Sequence, residues 1–143
     1  MYVDLKNIEV KFVDSWPEKD IVNLYKSGGW WKESYDPSGI NKLIKGSFAF
    51  AVVIDKKTDK TIGMGRIISD GLSDAYIQDL VILSEYRRKG IGRKLVRELL
   101  NFCTNKDMSW IGLISEPGQE GFYESLGLKK MKNYVPMIYK KEE

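Results

Sequence analysis

Alternating apolar and polar residues, separated by short polar turns, mark much of this 143-residue chain. The alternation predicts a first strand over Tyr2–Val13. Runs rich in β-branched and aromatic residues predict four further strands, over Phe48–Ile54, Thr61–Ser69, Ala75–Leu83 and Trp110–Ser115. The turn after Phe48–Ile54 is short and polar, so that strand and the next are expected to form an antiparallel hairpin. Near the end of the chain, Leu128–Met131 and Pro136–Tyr139 predict a closing hairpin.

Apolar residues three and four positions apart predict helices in the segments between these strands. One helix follows Pro17, and a second is capped by Asp36 with Pro37 at its first position. A longer helix is predicted over 90–104, and a short one carries the pair Phe122 and Tyr123. The pattern as a whole predicts one α/β domain over residues 1–143 with a mixed sheet.

Cysteine and histidine usage removes several kinds of chemistry. The chain has no histidine, which excludes Ser-His-Asp and Cys-His catalysis and disfavours a zinc or iron site. Its one cysteine, Cys103, lies among apolar helix positions, which favours a core role over a nucleophilic one. We therefore expect no metal, and acid–base work must use carboxylates, tyrosine, lysine, backbone groups or water.

Charge and hydropathy narrow the partners and the location. The net charge of +3 is too small to predict a nucleic-acid partner. No apolar run approaches the roughly 20 residues that cross a bilayer, and the N-terminal residues lack the pattern of a signal peptide. The expectations are no nucleic acid, no membrane and a cytoplasmic location.

The most informative stretch joins the strand Ala75–Leu83 to the helix over 90–104 through a basic turn with two glycines. Gly90 and Gly92 have no Cβ, so a ligand can approach the backbone closely there. Free amides and the positive end of the dipole make a helix start an anion site. Positive charge surrounds it at Arg87, Arg88, Lys89, Arg93 and Lys94. This arrangement predicts a pyrophosphate site, although a solvated basic turn is the plainer alternative.

At these residues the chain resembles a known family. The string over residues 87–92, RRKGIG, is similar to the Arg/Gln-x-x-Gly-x-Gly/Ala motif of the GNAT superfamily of N-acetyltransferases. The later string over 121–128, GFYESLGL, resembles that family's FY-x-x-LGF segment, with Leu128 in place of the last phenylalanine. The order and separation of the two strings match as well. The resemblance implies a single GNAT-like α/β (α+β) domain, with a mixed, mostly antiparallel central sheet flanked by helices.

The resemblance also implies acetyl-CoA as cosubstrate and a set of residues to hold it. The strand residues would pair with the pantetheine arm, and the turn would hold the phosphates. The implied residues are Leu80, Val81, Ile82, Arg87, Arg88, Lys89, Gly90, Ile91, Gly92, Arg93 and Lys94. Pairing with pantetheine requires a splayed or bulged strand end, which the sequence does not reveal.

Two residues are candidates for the proton transfers. By resemblance, Tyr123 matches the tyrosine whose hydroxyl lies near the CoA sulfur, although simple packing is the alternative. Asp79 lies inside an apolar strand, where an ionised carboxylate is costly unless it is used or paired. Strict alternation separates it from the face of Tyr76 and Gln78, so only a bulge would turn it to that side. Pairing with Arg66 or capping of backbone is the structural alternative.

The acceptor is the least defined part of the prediction. Trp30, Trp31 and Tyr35 lie between two predicted helices and are candidates for substrate binding, with packing in the core as the alternative. We expect transfer to the primary amine of a small molecule in a ternary complex. The alternatives are a protein or peptide N-acetyltransferase and a non-catalytic acyl-CoA-binding module. Glu116 stands where many family members have asparagine, and Pro136–Tyr139 offers an edge for a homodimer.

Overall fold

The structure is a computed structural model that describes residues 1–141. The chain divides into two compact units, of which the first is Met1–Leu113 and the second begins at Ile114. The first unit contains the whole sheet and three helices.

The sheet has five strands in the order in which they follow each other along the chain. They are β1 (Ile8–Phe12), β2 (Ala49–Asp55), β3 (Lys60–Ile68), β4 (Asp74–Ile82) and β5 (Trp110–Gly112). Adjacent strands are antiparallel from β1 to β4, and β5 runs parallel to β4. The predicted mixed, mostly antiparallel sheet is therefore confirmed, including the hairpin of β2 and β3.

Helices pack on both faces of this sheet. They are α1 (Glu18–Ser27), α2 (Ile40–Gly46) and α3 (Ile91–Asn105). A Cβ at Gly65 of β3 would meet the side chains of Leu95 and Leu99, which places α3 on that face. The next residue, Arg66, points to the opposite face. Its guanidinium and the Tyr25 hydroxyl of α1 both bond to the Asp79 carboxylate, so α1 lies on that opposite face.

The segment before α2 has the predicted cap, whereas the segment before β1 differs from the prediction. The Asp36 carboxylate accepts a hydrogen bond from the Ser38 amide at 2.9 Å, and a short 3-10 turn, Pro37–Gly39, leads into α2. The first strand is shorter than predicted. Asp4 caps a 3-10 turn over Leu5–Asn7, which uses the amides that a longer strand would need, so β1 begins at Ile8.

The second unit has one short helix, α4 (Glu120–Glu124), which carries Phe122 and Tyr123 as predicted. The predicted closing hairpin is wrong, because Leu128–Met131 and Pro136–Tyr139 form no strands in the described chain. Strands of four residues form only marginal hairpins, and Pro136 removes one ladder donor. The prediction over Trp110–Ser115 was also too long, since β5 ends at Gly112.

Candidate functional site

The turn before α3 has the geometry of a helix start that is open to a ligand. Gly90 is the N-cap residue, and its φ of 83° lies in the left-handed region that favours glycine. No side chain caps the helix. The first amides of a helix have no acceptors within it, so this end of α3 can bind an anion. Ile91 is 1% exposed and belongs to the hydrophobic core, which fixes the first residue of α3.

The basic side chains of the turn differ in what already holds them. Lys94 Nζ donates to the carbonyls of Ile8 at 2.6 Å and Leu5 at 3.4 Å, which ties the start of β1 to α3. Arg87 Nε donates to the Ile82 carbonyl at 2.8 Å, so this guanidinium is aligned along the end of β4. Arg88 is exposed, and its φ of 60° marks a sharp change of chain direction just before Gly90. The positive charge is thus partly anchored and partly exposed.

The second half of β4 has an open edge within the described chain. β5 pairs with β4 only from Asp74 to Tyr76, whereas β4 continues to Ile82. Leu80, Val81 and Ile82, the residues predicted to pair with the cofactor arm, lie in this second half. The ladder with β5 therefore ends before these three residues begin.

A bulge interrupts the pairing of β3 with β4 at the centre of the site. Arg66 pairs with Gln78 and Met64 pairs with Val81, so Asp79 and Leu80 together lie opposite the single residue Gly65. Asp79 has a φ of 58°, in the left-handed region, as a bulge residue often has. The missing side chain of Gly65 makes room for Leu80, whose Cδ2 would lie 2.7 Å from a Cβ there.

This bulge changes the face on which Asp79 lies. Gln78 shares the α1 face with its register partner Arg66, and regular alternation would send Asp79 to the α3 face. Instead, Asp79 Oδ2 accepts hydrogen bonds from Arg66 Nε at 2.6 Å and from the Tyr25 hydroxyl at 2.7 Å. Leu80 is the residue that turns to the α3 side. The carboxylate therefore lies on the same side as Tyr76 and Gln78.

The partners of Asp79 define its electrostatics. The guanidinium of Arg66 and the carboxylate are about four-fifths buried as side chains, so the ion pair is only weakly screened by solvent. Burial raises the pKa of the Tyr25 phenol well above its ordinary value, and the bond to Asp79 raises it further. Tyr25 is therefore a permanent donor. Both bonds end on Oδ2, and within the described chain we find no protein partner for Oδ1.

The aromatic candidates divide into two groups. Trp30 lies over Gly28, where a Cβ would come within 2.7 Å of its ring, and its edge contacts Tyr25 with ring centroids 6.2 Å apart. Trp30 is therefore linked to Asp79 through Tyr25. Trp31 and Tyr35 contact each other at 5.4 Å, and Trp31 also packs against the core.

Tyr123 lies in the second unit, on α4. Burial raises the pKa of its phenol above the ordinary value, and the Glu116 carboxylate raises it further. The hydroxyl is therefore protonated at neutral pH, as a proton donor must be. Phe122 contacts the Tyr123 ring at 5.1 Å and helps to fix its position.

The described residues offer little for other chemistries. No group of three or more potential ligands among them could hold a metal ion. Cys103 is fully buried with a raised thiol pKa, as expected for a core residue. No described helix is long and apolar enough to cross a membrane.

Sequence reasoning missed Tyr25 as a member of the site. Its spacing with Ile21 and Leu24 marks it as a buried helix residue, which it is. Nothing in that pattern indicates that its hydroxyl reaches a carboxylate 54 positions later. Arg66 was foreseen only as the structural partner of Asp79.

Comparison with known proteins adds a family and several relatives. A family model described as an acetyltransferase (GNAT) domain matches residues 21–136. An uncharacterized N-acetyltransferase of Pyropia yezoensis is 31% identical over 117 residues, covering 76% of this chain and 66% of the relative. The chloroplastic GCN5-related N-acetyltransferase 2 of Arabidopsis thaliana is 29% identical, covering 80% of this chain and 45% of its own length. This chain thus spans about two thirds of the first relative and under half of the second.

Among solved structures, a GNAT-family acetyltransferase from Streptococcus pneumoniae superposes with a TM-score of 0.77. It is 27% identical, and the match covers 95% of this chain and 99% of that protein.

Proposed function

This chain belongs to the GNAT family of acetyltransferases, and we propose that it transfers an acetyl group from acetyl-CoA to the primary amine of a small molecule. The proposed reaction is direct attack by the amine in a ternary complex. The observation that carries this proposal is the combination of an uncapped, glycine-opened helix start with an open edge on the strand before it.

These two features fit the parts of acetyl-CoA. The amides at the start of α3, with Gly90 before the helix and Gly92 in its first turn, suit a pyrophosphate. Arg88 and Lys89 add positive charge. Backbone groups of Leu80–Ile82 on the open edge suit an amide-bearing arm that bonds as a strand would. When bound, acetyl-CoA supplies the activated acetyl thioester. Lys94 supports the turn by anchoring the N-terminal segment to α3.

We assign Asp79 to the amine side of the reaction. An amine must lose its proton before it can attack, and a carboxylate can take that proton directly or through water. The proposal uses Oδ1, because Arg66 and Tyr25 both bond to Oδ2 and hold the group in place. In this proposal a water molecule that exchanges with solvent carries the proton from the amine to the carboxylate.

We assign Tyr123 to the leaving group. Its raised pKa keeps the phenol protonated, so it can donate a hydrogen bond or a proton to a leaving thiolate. The family resemblance of the segment around it supports this role.

A test of the proposal measures thiol release from acetyl-CoA with a panel of small amines, amino sugars, polyamines and peptides. We expect turnover with at least one small-amine class. Tyr123→Phe should lower kcat by about a hundredfold with little change in the KM for the amine. Tyr134→Phe is the matched control, because that tyrosine is 74% exposed in the same unit.

The alternatives predict different outcomes of the same experiment. A protein or peptide N-acetyltransferase would turn over peptides and no small amine. A non-catalytic acyl-CoA-binding module would bind CoA in calorimetry and release no thiol with any acceptor. Full activity of Tyr123→Phe would contradict the assigned proton donor but not the transfer itself.

Location and assembly remain part of the proposal. We place the activity in the cytoplasm, and the chloroplastic relative from Arabidopsis thaliana makes a plastid the competing compartment. A homodimer through the segment Pro136–Tyr139 would require that segment to become ordered as a strand, since it has no regular structure here. Its apolar side chains, including Met137 and Ile138, are largely exposed.

A further inference from the structure

A buried hydrogen bond joins the segment before α3 to the hairpin of β2 and β3. The Tyr86 hydroxyl donates to Asp55 Oδ2 at 2.8 Å. Tyr86 is 5% exposed and Asp55 is 6% exposed. Asp55 is the last residue of β2, and Tyr86 ends a short 3-10 turn, Ser84–Tyr86, directly before Arg87. The function proposed above uses neither side chain.

The burial of the Asp55 carboxylate is unusual, because hairpin turns lie at the surface and a buried charge is costly unless it is bonded. One of its oxygens stabilises its own turn, since Oδ1 accepts a hydrogen bond from the Lys57 amide at 3.0 Å. An aspartate can make that local bond while exposed to solvent. The other oxygen accepts the bond from Tyr86, which lies 31 positions later in the sequence. The carboxylate therefore joins two segments that local sequence does not bring together.

The same hairpin turn also contacts the first 3-10 turn of the chain, which lies near Gly90. The Lys56 amide donates to the Asn7 carbonyl at 2.8 Å. A Cβ on Gly90 would lie 3.4 Å from Leu5 Cδ1, in ordinary van der Waals contact. The turn between β2 and β3 is therefore connected to the start of α3 by two routes, one through Tyr86 and one through Asn7.

We propose that Asp55 and Tyr86 are positioning residues that hold the turn before α3 in the conformation that binds acetyl-CoA. This inference rests on the proposed function, because it takes that turn as the cofactor site. It adds a buried pair that acts on the cofactor through the backbone and touches neither substrate.

The residues that follow Tyr86 depend on where it is held. Arg87 comes next, and its Nε donates to the Ile82 carbonyl at 2.8 Å. Arg88 follows with a φ of 60°, a strained conformation that persists only where the surrounding structure imposes it. On the N-terminal side of Arg88, the buried bond between Tyr86 and Asp55 supplies such a constraint.

The first test removes only the hydroxyl, in Tyr86→Phe. Loss of the bond lowers the fraction of molecules whose turn has the binding conformation before CoA arrives, and the apparent Kd rises by the inverse of that fraction. We expect the Kd for CoA, measured by calorimetry, to rise about fivefold. In turnover, the KM for acetyl-CoA should rise by a similar factor, with kcat and the KM for the amine within about twofold of the wild type.

Replacements of Asp55 show whether the hydroxyl acts through this carboxylate. In Asp55→Asn, the side-chain carbonyl can accept from the Lys57 amide while the NH2 group donates to the Tyr86 hydroxyl, so the Kd for CoA should stay within about twofold of the wild type. Asp55→Ala removes the link and should weaken CoA binding at least as much as Tyr86→Phe. In the Asp55→Ala background, Tyr86→Phe should have no further effect, because the two residues act as one unit.

Thr61→Val is the matched control, because it lowers stability in the same hairpin without touching the turn before α3. Thr61 is 9% exposed, and its hydroxyl accepts a bond from Trp16 Nε1 at 3.0 Å and donates one to Asp20 of α1 at 3.2 Å. We expect a lower unfolding midpoint in urea and an unchanged Kd for CoA. Glu85→Gln breaks a half-exposed ion pair with Lys60 and should change that Kd by less than about twofold.

Hydrogen exchange in the free protein gives a readout that needs no CoA. The Arg87 amide bonds to the Ser84 carbonyl at 3.2 Å, and it should exchange faster in Tyr86→Phe than in Thr61→Val. Equal exchange in these two variants would contradict the positioning role.

The calorimetry separates failure of this inference from failure of the proposed function. If the wild type and Tyr86→Phe bind CoA equally well, the positioning role is overturned and the transferase stands. A further loss on adding Tyr86→Phe to Asp55→Ala would also overturn it, since the hydroxyl would then act without the carboxylate. A wild-type protein that binds no CoA would overturn the cofactor site itself, and this inference with it.

Discussion

The turn before α3 and the bulge in β4 stand at the two ends of the proposed reaction and are built in different ways. The turn comes from adjacent residues, with Gly90 at a positive φ and basic side chains on both sides. The bulge draws on three elements, because Asp79 depends on Gly65 and Arg66 of β3 and on Tyr25 of α1. A contiguous site can be recognised as a motif, whereas a dispersed site depends on the register of the sheet. The turn can therefore be recognised in the sequence, and the bulge cannot.

The largest expected effect is on the free energy of unfolding when Asp79 is replaced. Two replacements separate the loss of the hydrogen-bond acceptor from the loss of the charge. Asp79→Ala removes the acceptor of the buried Tyr25 hydroxyl and leaves Arg66 without its partner. We expect a loss of about 1–3 kcal/mol in the free energy of unfolding, measured in urea. Asp79→Asn keeps an acceptor and tolerates a positive φ, so it should lose less than about 1 kcal/mol.

Asp79→Ala and Asp79→Asn should differ in stability but lose turnover alike. Both variants lack the carboxylate, so each should lower kcat for the amine by at least about tenfold while CoA affinity stays near the wild-type value. Wild-type kcat in Asp79→Asn would show that Asp79 only shapes the strand.

The next largest effect is expected in the turn before α3. In Gly90→Ala, an alanine must adopt the left-handed backbone conformation, at a cost of about 1–2 kcal/mol. If the turn holds the cofactor, relaxation of this strain should weaken CoA binding by about tenfold, with the KM for the amine unchanged. Gly46→Ala is the matched control, because a Cβ there meets no neighbour within 4 Å and φ is not positive. Equal CoA affinity in the two variants would contradict the role of the turn.

The smallest expected effect distinguishes two lysines near the start of α3, Lys89 before the helix and Lys94 in its first turn. Lys94 is already bonded to the carbonyls of Ile8 and Leu5, so Lys94→Met should lower the unfolding midpoint and change CoA affinity by less than about threefold. Lys89→Met should do the opposite, weakening CoA binding severalfold at low salt with little effect on unfolding. The reverse pattern in calorimetry would show that Lys94 leaves its carbonyls to bind the cofactor.

The sequence predicted the elements well where local chemistry decides them. The hairpin of β2 and β3, the cap at Asp36 and the helix after Gly90 are all set by neighbouring residues. The end of the chain was predicted wrongly, because a β-prone segment such as Pro136–Tyr139 forms a strand only when it has a partner. The position of the bulge could not be predicted from the sequence. It depends on the register in which Gly65 of β3 lies opposite Asp79 of β4.

The positive φ of Asp79 also bears on how this protein can change over generations. Aspartate, asparagine and glycine occupy left-handed backbone more readily than other residues, so the viable replacements at this position are few. Two of these three can still accept hydrogen bonds from Arg66 and Tyr25. Strand geometry alone therefore restrains drift at position 79, even in a lineage under no selection for catalysis. Residues on the exposed surface of β4, such as Tyr76, carry no such backbone restraint and can be replaced more freely.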